Sequence, residues 1–125
     1  MKLLETIKEK LTGKVPLFYR RSSKWPTVRE HFLKSNPACA ACGQTDHLQV
    51  HHIRPFHLDP SLELNTGNLI TLCEDEYLCH LKIGHLGSFK KENPEVRKDA
   101  AEALRKHIKD KVKTRSKARS KDIVK

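Results

Sequence analysis

Apolar residues recur along this chain in several distinct periods, and each period predicts an element. Leu3, Leu4, Ile7 and Leu11 fall at helical spacing among charges, so residues 2–11 predict a short amphipathic helix that closes before Gly13. Trp25-Pro26-Thr27 opens a second helical pattern that runs through Lys34, with Val28, Phe32 and Leu33 on one side and Asn36-Pro37 as its stop. From Leu48 to Ile53 apolar and polar positions alternate over a short strand that Pro55 ends, and Leu69–Leu72 reads as its return partner. The two should pair antiparallel across a loop at 56–67, bringing His51, His52 and Asn68 close together. Asn93-Pro94-Glu95 is a helix start, with Asn as cap, Pro in the first turn and an acid near the positive end of the dipole. Val96, Ala100, Leu104, Ile108 and Val112 follow at steps of four. These predict a long amphipathic helix to residue 112, and the Lys/Arg/Ser run beyond it predicts a disordered basic tail.

Composition adds a partner. At 125 residues with a formal charge of +10, the chain is one small basic domain with arms. Such a charge suits a polyanion, since neutralised phosphates release counterions and drive association. The basic residues that could meet phosphate are Arg20, Arg21 and Lys24 before the second helix, Arg54 and Lys82 near the histidines, and Lys113 and Arg115 in the tail. Phe18 and Tyr19 interleave with the first group and could stack or pack. No apolar run approaches the roughly 20 residues of a membrane span, and the charged N-terminus is unlike a signal peptide. The expected location is cytoplasmic, or nuclear in a eukaryote, with no membrane partner.

Four cysteines stand as two close pairs about thirty residues apart, Cys39-Ala-Ala-Cys42 and Cys73 with Cys79. In a reducing compartment they read as thiolates on one structural Zn2+ rather than as two disulfides. Gly43 then eases the backbone past the ion. A redox Cys-x-x-Cys would call for a thioredoxin-like βαβ context that is missing here. His31, His47 and His57 occupy positions that suggest surface or packing roles.

Between the cysteine pairs lie His51-His52-Ile53-Arg54-Pro55, then Asn68-Leu69-Ile70-Thr71-Leu72-Cys73, then Cys79-His80 and His85. In this order the three submotifs resemble the HNH endonuclease family over roughly residues 36–86. The resemblance implies an α+β fold: a small ββα-metal hairpin and helix clasped by a structural zinc and flanked by N- and C-terminal helices. It implies metal-dependent hydrolysis of DNA, leaving 5′-phosphate and 3′-hydroxyl ends. Position by position, His52 matches the general base, and Asn68 the asparagine that braces the loop or orients that base. His51 and His80 match ligands of a catalytic divalent ion (Mg2+, Mn2+, Ni2+ or Zn2+), and His85 could be a third. The second cysteine pair departs from the commonest family form, with five intervening residues instead of two, and His85 lies five residues beyond His80 rather than four.

The resulting divisions are an N-terminal helical and basic arm at 1–35, a nuclease core at 36–92, a C-terminal helix at 93–112 and a basic tail at 113–125. Two rivals stay open. One is a noncatalytic zinc nucleic-acid-binding module in which the histidines only hold metal, as a second structural site or with Cys39 and Cys42. The other is a nuclease that acts on RNA or only as one component of a larger assembly. The expected partner is DNA, double-stranded, with the oligomeric state undetermined.

Overall fold

A computed structural model of the chain describes residues 20–124. The helix expected at 2–11 lies outside the described residues, as do Phe18 and Tyr19. The element order is helix α1 (Trp25–Ser35), strand β1 (Leu48–His52), strand β2 (Leu69–Cys73), a five-residue π-turn (His80–Gly84) and helix α2 (Val96–Val124). This is the small α+β architecture that the submotifs imply. The strands form one antiparallel pair, Leu48 opposite Cys73 and His52 opposite Leu69. All five residues of β2 are buried, because helices and the cysteine knuckle cover it from both sides.

The core is small and rich in sulfur: Cys39, Cys42, Cys73 and Cys79 pack with Ala41, Ile70, Leu72, Val96 and Ala100. So few apolar side chains supply little burial energy for a domain of this size. The knuckle is stitched to the sheet by Ala40 N–H donating to the Thr71 carbonyl and by the Thr71 hydroxyl donating to the Asn36 carbonyl, both at 2.9 Å. Gly43 adopts φ +78°, the left-handed conformation its place after Cys42 calls for.

Asn93 caps α2 as its sequence predicts. Its Oδ1 accepts from Glu95 N–H, and its Nδ2 donates to the Ile83 carbonyl and to Asp99, tying the helix start to the π-turn. The apolar stripe divides along its length: Val96 and Ala100 are fully buried, whereas Ile108 and Val112 are about half exposed. The helix also differs from expectation at its far end, continuing through Val124 across the segment read as a disordered tail. Lys, Arg and Ala are good helix formers, and no Gly or Pro interrupts them there. Among the described residues no helix is long and apolar enough to cross a membrane.

Candidate metal centre and catalytic cleft

Two clusters of metal-ligand type flank the hairpin. In the first, the sulfurs of Cys39, Cys42, Cys73 and Cys79 lie within 4.8 Å of one another, all buried. Cys42 Sγ and Cys73 Sγ are 3.7 Å apart. A tetrahedral zinc with bonds of about 2.3 Å separates its sulfurs by about 3.8 Å, so the donor set fits that ion. Ionisation agrees: the hydrogen bond from Cys79 lowers the Cys39 thiol to about 4, while that same contact drives Cys79 up and burial pushes Cys42 up to about 11. Ionising Cys42 and Cys79 beside that thiolate is opposed by burial and by its charge, which a bound cation would offset. The five residues between Cys73 and Cys79 do not prevent convergence. They loop out through Glu76 and Leu78, both at positive φ, a conformation costing a non-glycine residue about 1–2 kcal/mol.

The second cluster joins His51 of β1 to His80 and His85 of the π-turn and its end. His80 Nε2 lies 3.0 Å from His51 Nδ1 and 3.2 Å from His85 Nε2. The protonation of two rings follows from their other contacts. His80 Nδ1 sits 2.8 Å from a Glu74 carboxylate oxygen, and His85 Nδ1 lies 2.9 Å from the Lys91 carbonyl, which can only accept. Each Nδ1 therefore carries the hydrogen, and both Nε2 atoms present lone pairs to each other. Facing lone pairs repel unless a cation lies between them. Nitrogens around a divalent ion with bonds of about 2.1 Å are separated by roughly 3.0–3.4 Å, depending on coordination geometry, so the spacing fits. The Glu74 and Lys91 contacts are of the kind that orient metal-binding imidazoles. Burial, reinforced by His80 and then His85, lowers His51 to about 3, and burial likewise lowers His80, which favours the neutral form of these two rings.

The five-residue step from His80 to His85 is explained by local geometry. The His85 N–H donates to the His80 carbonyl at 3.1 Å, an i to i+5 bond. This wider turn stacks residues five apart, where an α-helix would stack residues four apart, so both imidazoles face β1. Gly84 makes the approach possible. A Cβ there would sit 3.1 Å from Leu72 Cδ1, 3.3 Å from His51 Cε1 and 3.3 Å from His80 Cδ2.

His52 points elsewhere. Its Nε2 lies 2.9 Å from the Glu63 carbonyl, so Nε2 carries the hydrogen and Nδ1 is left unprotonated. Trp25 packs on the ring with centroids 4.4 Å apart. Burial lowers the His52 pKa, offset in part by the Glu63 bond. Asn68, buried, accepts from Arg54 N–H at 2.8 Å and donates to the carbonyls of Arg54 and Leu62. It thus braces both ends of the loop that delivers the Glu63 carbonyl. The Glu63 side chain, also buried, accepts from Ser22 N–H and from Arg21, fastening the start of α1 beside the cleft.

A cleft of about 480 Å³ runs past His51, His52, His80 and His85. Of the seven basic residues assigned to phosphate from sequence, Arg21 lines it. Arg20, Lys24, Arg54, Lys82, Lys113 and Arg115 are exposed and lie outside its lining. His57 reaches its rim, while His31 and His47 are exposed away from it. Sequence reasoning missed Trp25, Arg29, Glu63 and Glu74. A spacing signal existed for the first two, which stand four apart on α1, but nothing local pairs Glu63 with His52 or Glu74 with His80.

No curated protein and no solved structure matches the chain. A family model described as HNH endonuclease matches residues 39–86, a span that includes both clusters, the whole hairpin and the π-turn. Over this segment the chain is similar to the HNH endonuclease family.

Proposed function

We propose that this chain is a metal-dependent endonuclease that hydrolyses phosphodiester bonds of duplex DNA. The observation that carries the reading is the division between His52 and its neighbours. Three imidazoles converge on one point, while the adjacent His52 turns away, is held at Nε2 and keeps Nδ1 open. A noncatalytic zinc module gives no reason for that fourth ring to be so constrained.

In this reading His51, His80 and His85 hold a divalent ion, and Cys39, Cys42, Cys73 and Cys79 hold a structural zinc. When bound there, such an ion would supply Lewis-acid neutralisation of the charge that develops on the phosphodiester. His52 Nδ1 removes the proton from the attacking water, and the Glu63 carbonyl, still accepting from Nε2–H, holds the resulting imidazolium in place. Trp25 covers the ring and restricts its rotation. Asn68 contributes by fixing the loop and makes no direct contact with substrate. The net positive charge draws the DNA backbone toward the cleft.

Incubation of supercoiled plasmid with purified protein and Mg2+, Mn2+, Ni2+ or Zn2+ tests the proposal. Nicked or linear product that depends on the added ion and vanishes in His52→Ala is expected. Intact plasmid with every ion would favour the noncatalytic module.

A further inference from the structure

One wall of the cleft comes from outside the matched segment. On α1, Trp25 and Arg29 stand one turn apart and share a face. On β1, Gln49 and His51 stand two apart and share a face. The two faces meet where Arg29 Nη2 donates to Gln49 Oε1 at 2.9 Å. Arg29 is half-buried there, and both residues line the cleft.

The charges around this pair are unbalanced. The cleft lining contains two arginines and five histidines and no carboxylate. Arg21 has its charge met by Glu63 at 3.4 Å and lies over the Phe56 ring at 4.5 Å. Arg29 differs: among the described residues no carboxylate oxygen comes within 4.0 Å of it, and the neighbouring Glu30 is engaged with Lys34. A guanidinium cannot shed its proton, so Arg29 keeps a full charge in a partly desolvated position against a neutral amide oxygen. An ion pair would be the ordinary way to offset that desolvation, and its absence leaves the planar fork open to an anion.

We infer that Arg29, oriented by Gln49, grips a backbone phosphate of the DNA lying in the cleft. The inference rests on the nuclease reading for the identity of the cleft. It assigns the cleft's phosphate contact to a residue on α1 rather than to Arg21, whose charge is already met.

The competing role is a rivet that merely joins α1 to β1, and Gln49→Glu separates the two. A carboxylate at this position strengthens a rivet but neutralises a grip. The measurement is fluorescence anisotropy of a labelled short duplex with zinc-loaded protein, across a salt series without added divalent ion, alongside thermal midpoints. Arg29→Gln and Gln49→Glu should each weaken binding about tenfold and reduce the salt slope by about one, with the Gln49→Glu midpoint unchanged or raised. Wild-type affinity and slope in Gln49→Glu would overturn the grip, as would failure of the wild type to bind duplex. The anisotropy readout is binding alone, so a wild type that binds duplex but fails to cleave plasmid with any added ion ends the nuclease reading while the slopes still decide Arg29. A wild type that cuts, with an unchanged slope in Arg29→Gln, ends the grip alone.

Discussion

A general base has to be held at one nitrogen and left open at the other, and at the scale of single residues His52 meets that demand through the Glu63 carbonyl. The His51-His52 doublet was legible as two imidazoles on opposite faces of β1, because strand alternation turns adjacent side chains apart. The partner that sets the tautomer was not legible, since a backbone carbonyl eleven residues away leaves no trace in residue type. Asn68 is the residue-scale test of the loop that delivers this carbonyl. Asn68→Ala strands the Arg54 N–H and loosens two carbonyls, so the thermal midpoint should fall, by about 1–3 kcal/mol of stability for unsatisfied buried groups. Cleavage should drop with it even where the protein remains folded. An Asn68→Ala protein with wild-type midpoint and rate would show that the brace is dispensable.

At the scale of elements, the hairpin was read nearly residue for residue, because Pro55 ends one strand and a continuous apolar run marks the buried return. The resemblance implied a helix after Cys79, and the π-turn found there was not legible, since an i to i+5 bond has no sequence period of its own. Its dependence on Gly84 can be checked. Gly84→Ala inserts a methyl against Leu72, His51 and His80, so His51 and the turn must separate. Affinity for the catalytic ion, measured by calorimetric titration, should fall by tenfold or so while the zinc content stays near one, in line with the effect of misplacing a ligand's support. Unchanged affinity would mean that the turn has room to spare. The far end of α2 shows the opposite error: a charge run was read as disordered although its residues individually favour helix.

At the scale of the whole molecule, stability rests on sulfur. Cys79 and His80 are adjacent yet belong to different clusters, so the four-cysteine cluster also fixes the position of His80 in the three-histidine cluster. Strong chelation should remove about 10 kcal/mol or more of apparent binding energy from a fold with little other core, and circular dichroism should show unfolding together with loss of nicking. A folded protein after zinc removal would contradict this. Residues 113–119 contact no core and are exposed, so deletion of 113–125 should leave the midpoint unchanged while weakening duplex binding and flattening its salt dependence. An unchanged slope would make this end of α2 a solubilising extension.

The most direct measurement sets metal binding against turnover in three proteins: wild type, His52→Ala and His80→Ala. Each is titrated calorimetrically with Mn2+ or Ni2+ and assayed for plasmid nicking at saturating ion. His52→Ala should bind the ion with nearly wild-type affinity and lose a factor of about 100–10,000 in rate, the range for removing a general base. His80→Ala should bind the ion weakly and recover part of its rate as the concentration rises. A His52→Ala protein that cuts at near wild-type rate, or that loses the ion as completely as His80→Ala, contradicts the assignment of His52 as the base.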